Sequence, residues 1–307
     1  MKRYLILIIL GSSQLLAGDR VFVVPLARLD DWTKCVVAEF DNVTITGNSP
    51  VHPQGDDCEM HFGAKVEGYT GDPEGVVLEP MNICVETFFA RMAYKKKDWE
   101  DFGRLLAKKK VKVEGVPRLW PEHLDGSESS SNPNHALEVH PLTRLTIGGT
   151  TRNFSSFIYI PGQYRGGLSS ETAERIVKSA VVHVTTTGSD VEISFDAGQI
   201  GNFAMLDLRF QRDKIKAIRG GHRIPGEVLI ESNTPGPVSI VTVAGSGIDA
   251  HIAKLKSGKR KTIDLEGLIL FSLNPETLHD AAAKSSGNPV EVDTPLQLIL
   301  YGVPEAE

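Results

Sequence analysis

The sequence predicts a mainly β protein: an N-terminal five-stranded barrel with one helix, followed by a second antiparallel β domain, either a sandwich or an open barrel. Three observations lead there. Short β-branched runs that partly alternate apolar and polar residues occur along the whole chain. Clusters of Gly, Pro, Asn and Asp interrupt them roughly every 8–12 residues, the spacing of antiparallel β domains. Helical periodicity is confined to short stretches near residues 98–110, 168–180 and 274–284.

A segment of different character precedes these elements. Met1-Lys2-Arg3 is basic, Tyr4 to Leu10 is almost wholly apolar, and Leu15-Leu16-Ala17 leads to Gly18-Asp19. This is the order of a secretory signal peptide, with cleavage expected after Ala17. The apolar run is shorter than the roughly 20 residues of a spanning helix, so no membrane span is expected after cleavage. The expected product is exported, periplasmic or extracellular, with a barrel domain over residues 18–148 and a second β-rich domain over 149–307.

The first half reads as three strands, a helix and two strands. "CVVAEFDNVTITG" (35–47) is a long strand able to bend midway. In "CEMHFGAKV" (58–66), Cys58, Met60, Phe62 and Ala64 face one way and Glu59, His61 and Lys65 the other. "VVLEPMNICV" (76–85) is a third strand interrupted by Pro80. Asp98 can cap a helix whose Trp99, Phe102, Leu105 and Leu106 share a face, with Lys108 to Lys110 at its negative end. "KVKVEGVPRLW" (110–120) and the stretch from His135 to Leu145 supply strands four and five.

Such an element order is that of an OB-fold barrel. Over residues 32–147 the chain also resembles OB-like domains of poorly characterised exported bacterial proteins, which close on a Glu-aliphatic-His-Pro run, here Glu138-Val139-His140-Pro141. The resemblance implies the fold and brings no catalytic residues with it.

The second half begins with a strand-like run (154–162) and a helix capped by Ser169 or Ser170. Strand-like runs follow at 191–197, 203–210, 226–232, 236–244 and 261–273, then a short helix (274–284) and a closing strand (294–303). "GSGIDAH" (245–251) reads as a hairpin turn. Its Ser246, Asp249 and His251 are too close in sequence to converge as a triad. No repeat of fixed period is visible.

The chain carries 33 Lys+Arg against 39 Asp+Glu, and removal of Lys2 and Arg3 leaves a net charge of −8. That balance gives no global attraction to nucleic acid, which is not expected as a partner. The basic runs at 95–97 with 108–110, at 254–261 and at 209–223 read as solvated faces. Cys35, Cys58 and Cys84 have no zinc-ribbon spacing. A hairpin centred near Asp72 places Cys58 opposite residue 86, which predicts a Cys58–Cys84 disulfide and leaves Cys35 a buried thiol.

In an OB barrel the third strand pairs with both the second and the fifth, and their outer faces form the usual ligand surface. That surface gathers Glu59, His61, Glu79, Glu138 and His140, of which His61, Glu79, Glu138 and His140 are the ligand-binding candidates. One reading is a solvated polar face; the other is a binding face whose histidines orient a polar ligand or hold a weak metal. Alternation puts His135 with Leu137 and Val139 on the core side, so residues 132–145 alone make no metal site. No metal ligands are assigned and no cofactor is expected. Trp32 and Trp120 read as plugs of the barrel ends rather than a stacking rim. Nucleophile-elbow, zinc-helix and phosphate-loop motifs are missing, and no catalytic residue is assigned. The expected function is non-catalytic binding of a ligand or envelope component through the barrel's outer face. The alternative is a secreted hydrolase acting on envelope or scavenged material.

Overall fold

The computed structural model of the chain describes residues 20–52, 59–81, 83, 96–124, 128–154, 167–195, 200–230 and 235–303. The leader (1–17), Cys58, Cys84 and most of the strand-like run at 154–162 lie outside these residues.

The described chain starts with β1 (Arg20–Pro25) and α1 (Leu26–Thr33). The first barrel follows, made of β2 (Ala38–Asn48), β3 (Phe62–Val66), β4 (Val76–Leu78), α2 (Lys96–Leu106), β5 (Lys110–Leu119) and β6 (Leu137–Ile147). Its strands run in the order β4-β3-β2-β5-β6 and close through a parallel β4–β6 pairing, with β7 (Thr150–Asn153) added at the edge. This is the OB connectivity, and the helix sits between strands three and four as expected. The bend in the first strand is a bulge between Phe40 and Val43, where Asn42 adopts φ 54°. The extra residue resets the alternation, so Phe40, Val43 and Ile45 all point into the core. On α2, Trp99 and Leu106 are buried, but Leu105 is 71% exposed and does not share their face as expected.

The second half contains α3 (Ser170–Ser179), β8 (Val182–Thr187), β9 (Asp190–Phe195), β10 (Phe203–Gln211), β11 (Lys216–Ile218), β12 (Gly221–Val228) and β13 (Gly236–Val243). Then come α4 (Gly247–Lys256), β14 (Thr262–Leu273), α5 (Pro275–Lys284), β15 (Val290–Val292) and β16 (Leu296–Gly302). Strands β10, β14, β16, β13 and β12 form a second closed barrel, with a parallel β13–β16 pairing and β11 as its extra strand. Counted along the chain, its pairing scheme is that of the first barrel, and α4 again lies between strands three and four. The protein is therefore two OB-like barrels in series, a duplication of topology carried by dissimilar residues. A separate four-stranded sheet, β1-β9-β8-β15, joins the first described strand to the second half.

The segment expected as a hairpin turn, 245–251, is instead the start of α4. Ser246 is the N-cap, its hydroxyl accepting from the Asp249 N–H at 3.1 Å. Asp249 accepts from Thr242 Oγ1 at 2.6 Å, with His222 Nδ1 at 2.7 Å.

The barrels meet over a small apolar cluster. Val36, Met81 and Val116 pack there against Phe203, Leu268, Leu270 and Tyr301. Every residue of β16 is buried, because one face lines its own barrel and the other meets this junction. Trp32 and Trp120 are both buried, and Trp120 stacks on Phe271 at 5.6 Å. Cys35 is a buried free thiol.

Candidate functional site

Beside the apolar contact the two barrels enclose a cluster of ionisable side chains. Glu59 and His61 immediately precede β3, Glu79 follows β4, Arg118 lies on β5, and Glu138 and His140 lie on β6. Pairing explains the convergence. The parallel β4–β6 register sets Val77 against Glu138 and Leu78 against Val139, and the Glu79 N–H still donates to Val139 O at 3.1 Å. One residue further along, Glu79 reaches His140. In the antiparallel β5–β6 ladder Arg118 stands directly opposite Glu138, the position from which cross-strand ion pairs form.

The sequence expectation of a solvated polar face needs correction. Glu79, Glu138 and His140 are buried, as is Glu59, and His61 keeps only 15% of its side chain exposed. These groups do occupy the barrel's outer face, but the second barrel covers it. Arg118 donates through Nε to Phe271 O at 2.7 Å and through Nη2 to Asn202 Oδ1, while the Leu119 N–H reaches Ser272 Oγ at 3.2 Å. The His140 ring meets Phe203 edge-on at 6.1 Å. His135 also departs from expectation. It lies ahead of the strand, where alternation does not bind it, and its Nε2 sits 3.3 Å from Glu138 Oε1.

His140 is the hub. Its Nδ1 lies 2.5 Å from Glu79 Oε2 and 3.3 Å from Glu138 Oε2, and its Nε2 lies 3.2 Å from Glu59 Oε1. His61 Nε2 lies 3.3 Å from the other Glu79 oxygen, Oε1. Glu138 pairs through Oε2 with Arg118 Nη1. Farther along, the His135 ring stacks on His123 with centroids 4.9 Å apart.

The electrostatics follow from this arrangement. Burial acts to raise the Glu79 carboxyl, but the charges of His140 and His61 outweigh it and hold the group down to about 2. Burial acts on Glu138 in the same sense and is overcome by Arg118, His135 and His140, so its carboxyl also lies well below the ordinary range. For His140 burial favours the neutral ring, but Glu79 and Glu59 prevail and push it well above its ordinary value. His135 is raised against burial chiefly by its bond to Glu138.

Donor spacing indicates what the cluster can hold. Charge-assisted hydrogen bonds between nitrogen and carboxylate are usually about 2.7–2.9 Å long. The His61–Glu79 separation of 3.3 Å is longer. It matches the roughly 3.3 Å between neighbouring ligand atoms placed tetrahedrally about 2.0–2.1 Å from a zinc-sized ion.

Three overlapping groups offer ligand atoms within 4.8 Å of one another: Glu59 with His61 and Glu79; Glu79 with Glu138 and His140; and His123 with His135 and Glu138. The second and third both use Glu138, whose charge the Arg118 guanidinium already compensates. In the first, both carboxylates lie against the His140 ring instead, and the group ends at His61, the member that reaches solvent.

All four sequence candidates, His61, Glu79, Glu138 and His140, thus belong to one network, together with Glu59. Arg118, His135 and His123 are the members that alternation did not single out. A β5–β6 register would have placed Arg118 opposite Glu138, but the bulges flanking Gly115 hide that register from the sequence. Comparison of the chain with protein-family descriptions, with curated proteins and with solved structures finds no match.

Proposed function

We propose that this chain is a non-catalytic binding protein whose ligand is a divalent transition-metal ion, held at the junction of its two barrels by Glu59, His61 and Glu79. The observation that carries the reading is the placement of these three donor groups within 4.8 Å of one another with only His61 reaching solvent. One imidazole and two carboxylates suit a borderline ion of the zinc, iron or manganese kind. His140 is the positioning residue. It touches Glu79 and Glu59 with its two ring nitrogens and fixes both carboxylates, the role that outer-shell partners play around metal ligands.

Burial supports binding over turnover. A hydrolase needs a cleft that admits substrate to its ionisable groups. Among the described residues, two cavities of about 410 and 420 Å³, one beside Thr33, Lys216, Arg223 and Glu276 and one beside Glu114, Thr143 and Arg144, contain none of the cluster residues. Export remains part of the proposal, on the basic, apolar and small-residue order of residues 1–17 and the likeness of the Glu138–Pro141 run to exported OB-like domains.

Calorimetric titration of chelator-treated protein with zinc and with manganese tests the reading. One ion per chain is expected for at least one of the metals, with the binding heat lost in Glu79→Gln and in His61→Ala. Wild-type protein that takes up neither metal, or variants that bind as wild type does, would overturn it.

A further inference from the structure

The end of the second barrel remote in sequence from the metal cluster brings together cations that the sequence presents as separate runs. Arg212 and Lys214 lie in the turn after β10, Lys254 and Lys256 in the last turn of α4, and Lys259 to Lys261 in the link to β14. The Arg212 N–H donates to Lys261 O at 2.8 Å and its guanidinium donates to Gly258 O, which ties the three segments into one surface. All but the half-buried Arg212 are exposed. Asp213 is the acid within these segments.

Seven cations gather on this surface. Several exposed cations elsewhere meet acids, Lys110 with Glu67, Lys112 with Glu39, Arg144 with Glu114 and Arg209 with Asp264, while Lys97, Lys178 and Lys284 are exposed without an ion pair among the described residues. None of the cations at this end forms an ion pair among the described residues. The negative end of α4 accounts for Lys254 and Lys256. It does not account for the others, whose mutual repulsion is left uncompensated in a chain that is acidic as a whole.

We propose that this basic end docks the protein on an anionic phospholipid surface. The partner follows from what the patch contains and what it lacks. It carries no aromatic side chain on which a base or sugar could stack. Val21 and Leu105, the exposed large hydrophobic residues among the described ones, both lie outside it, so the patch offers no apolar side chain for insertion into the acyl region. A cluster of exposed cations fits a broad surface of phosphate headgroups, attracted within about one Debye length. The net negative remainder of the chain is repelled by the same surface, which leaves this end to face it.

Co-sedimentation of the whole chain with vesicles tests the proposal. Binding is expected to vesicles containing about 30 mol% phosphatidylglycerol and not to pure phosphatidylcholine, because the attraction comes from anionic headgroups. It is expected to vanish near 1 M salt, where the screening length falls to about 3 Å. The triple variant Lys259→Ser, Arg260→Ser, Lys261→Ser should lower the partition coefficient on the order of 100-fold, at about fivefold per cation. Lys110→Ser with Lys112→Ser, which removes paired cations of the first barrel, should leave it within a few-fold. Equal binding to neutral vesicles, retention in high salt, indifference to the triple variant, or binding to soluble heparin without binding to vesicles would each overturn the proposal.

Discussion

Replacing Arg118 by methionine is expected to destabilise the protein by roughly 3–5 kcal/mol, the usual cost of removing one partner from a buried ion pair. The guanidinium is fully buried and serves both barrels, pairing with Glu138 on one side and donating to Phe271 O and Asn202 Oδ1 on the other. Without it the Glu138 carboxylate keeps two histidine neighbours but loses its permanent cation, and two acceptors of the second barrel lose their donor. At about 2–4 °C per kcal/mol for a chain of this size, the melting temperature should fall on the order of 10 °C. Lys112→Met provides the contrast, because its exposed pairing with Glu39 is worth at most about 1 kcal/mol. Adding Glu138→Leu to Arg118→Met should recover part of the loss, since the stranded charge is removed as well. If Arg118→Met melts with wild type in a thermal scan, the polar network does not hold the barrels together.

A metal ion bound only by the folded chain should raise its stability by about 4 kcal/mol when present at about 1,000 times its dissociation constant. For the metal-free protein given zinc this is a rise in melting temperature of roughly 8 °C or more. Glu79→Gln keeps the shape of the side chain and removes the charge that both His140 and the ion use, and His61→Ala removes the solvent-side ligand. Neither variant should respond to zinc. Glu122→Gln, a change on the Arg118 side of the cluster, should respond like wild type. A zinc-dependent rise that survives Glu79→Gln places the ion elsewhere.

Much of the barrel was legible because strand alternation reports the core directly. Met60, Phe62 and Ala64 read as inward and are buried, and the bend in the first strand is the bulge at Asn42. Alternation also put Glu59 and His61 on the outer side, with Glu79, Glu138 and His140 beside them. It could not show that this side is covered, because the cover comes from β10 and β14, far along the chain, and depends on how two folded barrels dock. The same distance concealed the Arg118 contacts with Asn202 and Phe271. The start of α4 was misread for a local reason. Ser246 followed three residues later by Asp249 has the form of a helix N-terminus rather than of a hairpin turn. The second barrel repeats the topology of the first without a sequence period, since pairing order constrains which faces are apolar and leaves the residues free. The basic end was visible as separate runs, and only the β10–β14 pairing brings residues 212–214 against 254–261.

Anomalous diffraction from zinc-loaded crystals tests the central claim most directly. The account predicts one strong anomalous peak between the Glu59 and Glu79 carboxylates and the His61 ring, with metal–ligand distances of about 2.0–2.1 Å and His140 on the far side of the carboxylates. A peak at another group of side chains, or a junction in which Arg118 and His140 alone balance the three glutamates while zinc is bound elsewhere, would contradict it.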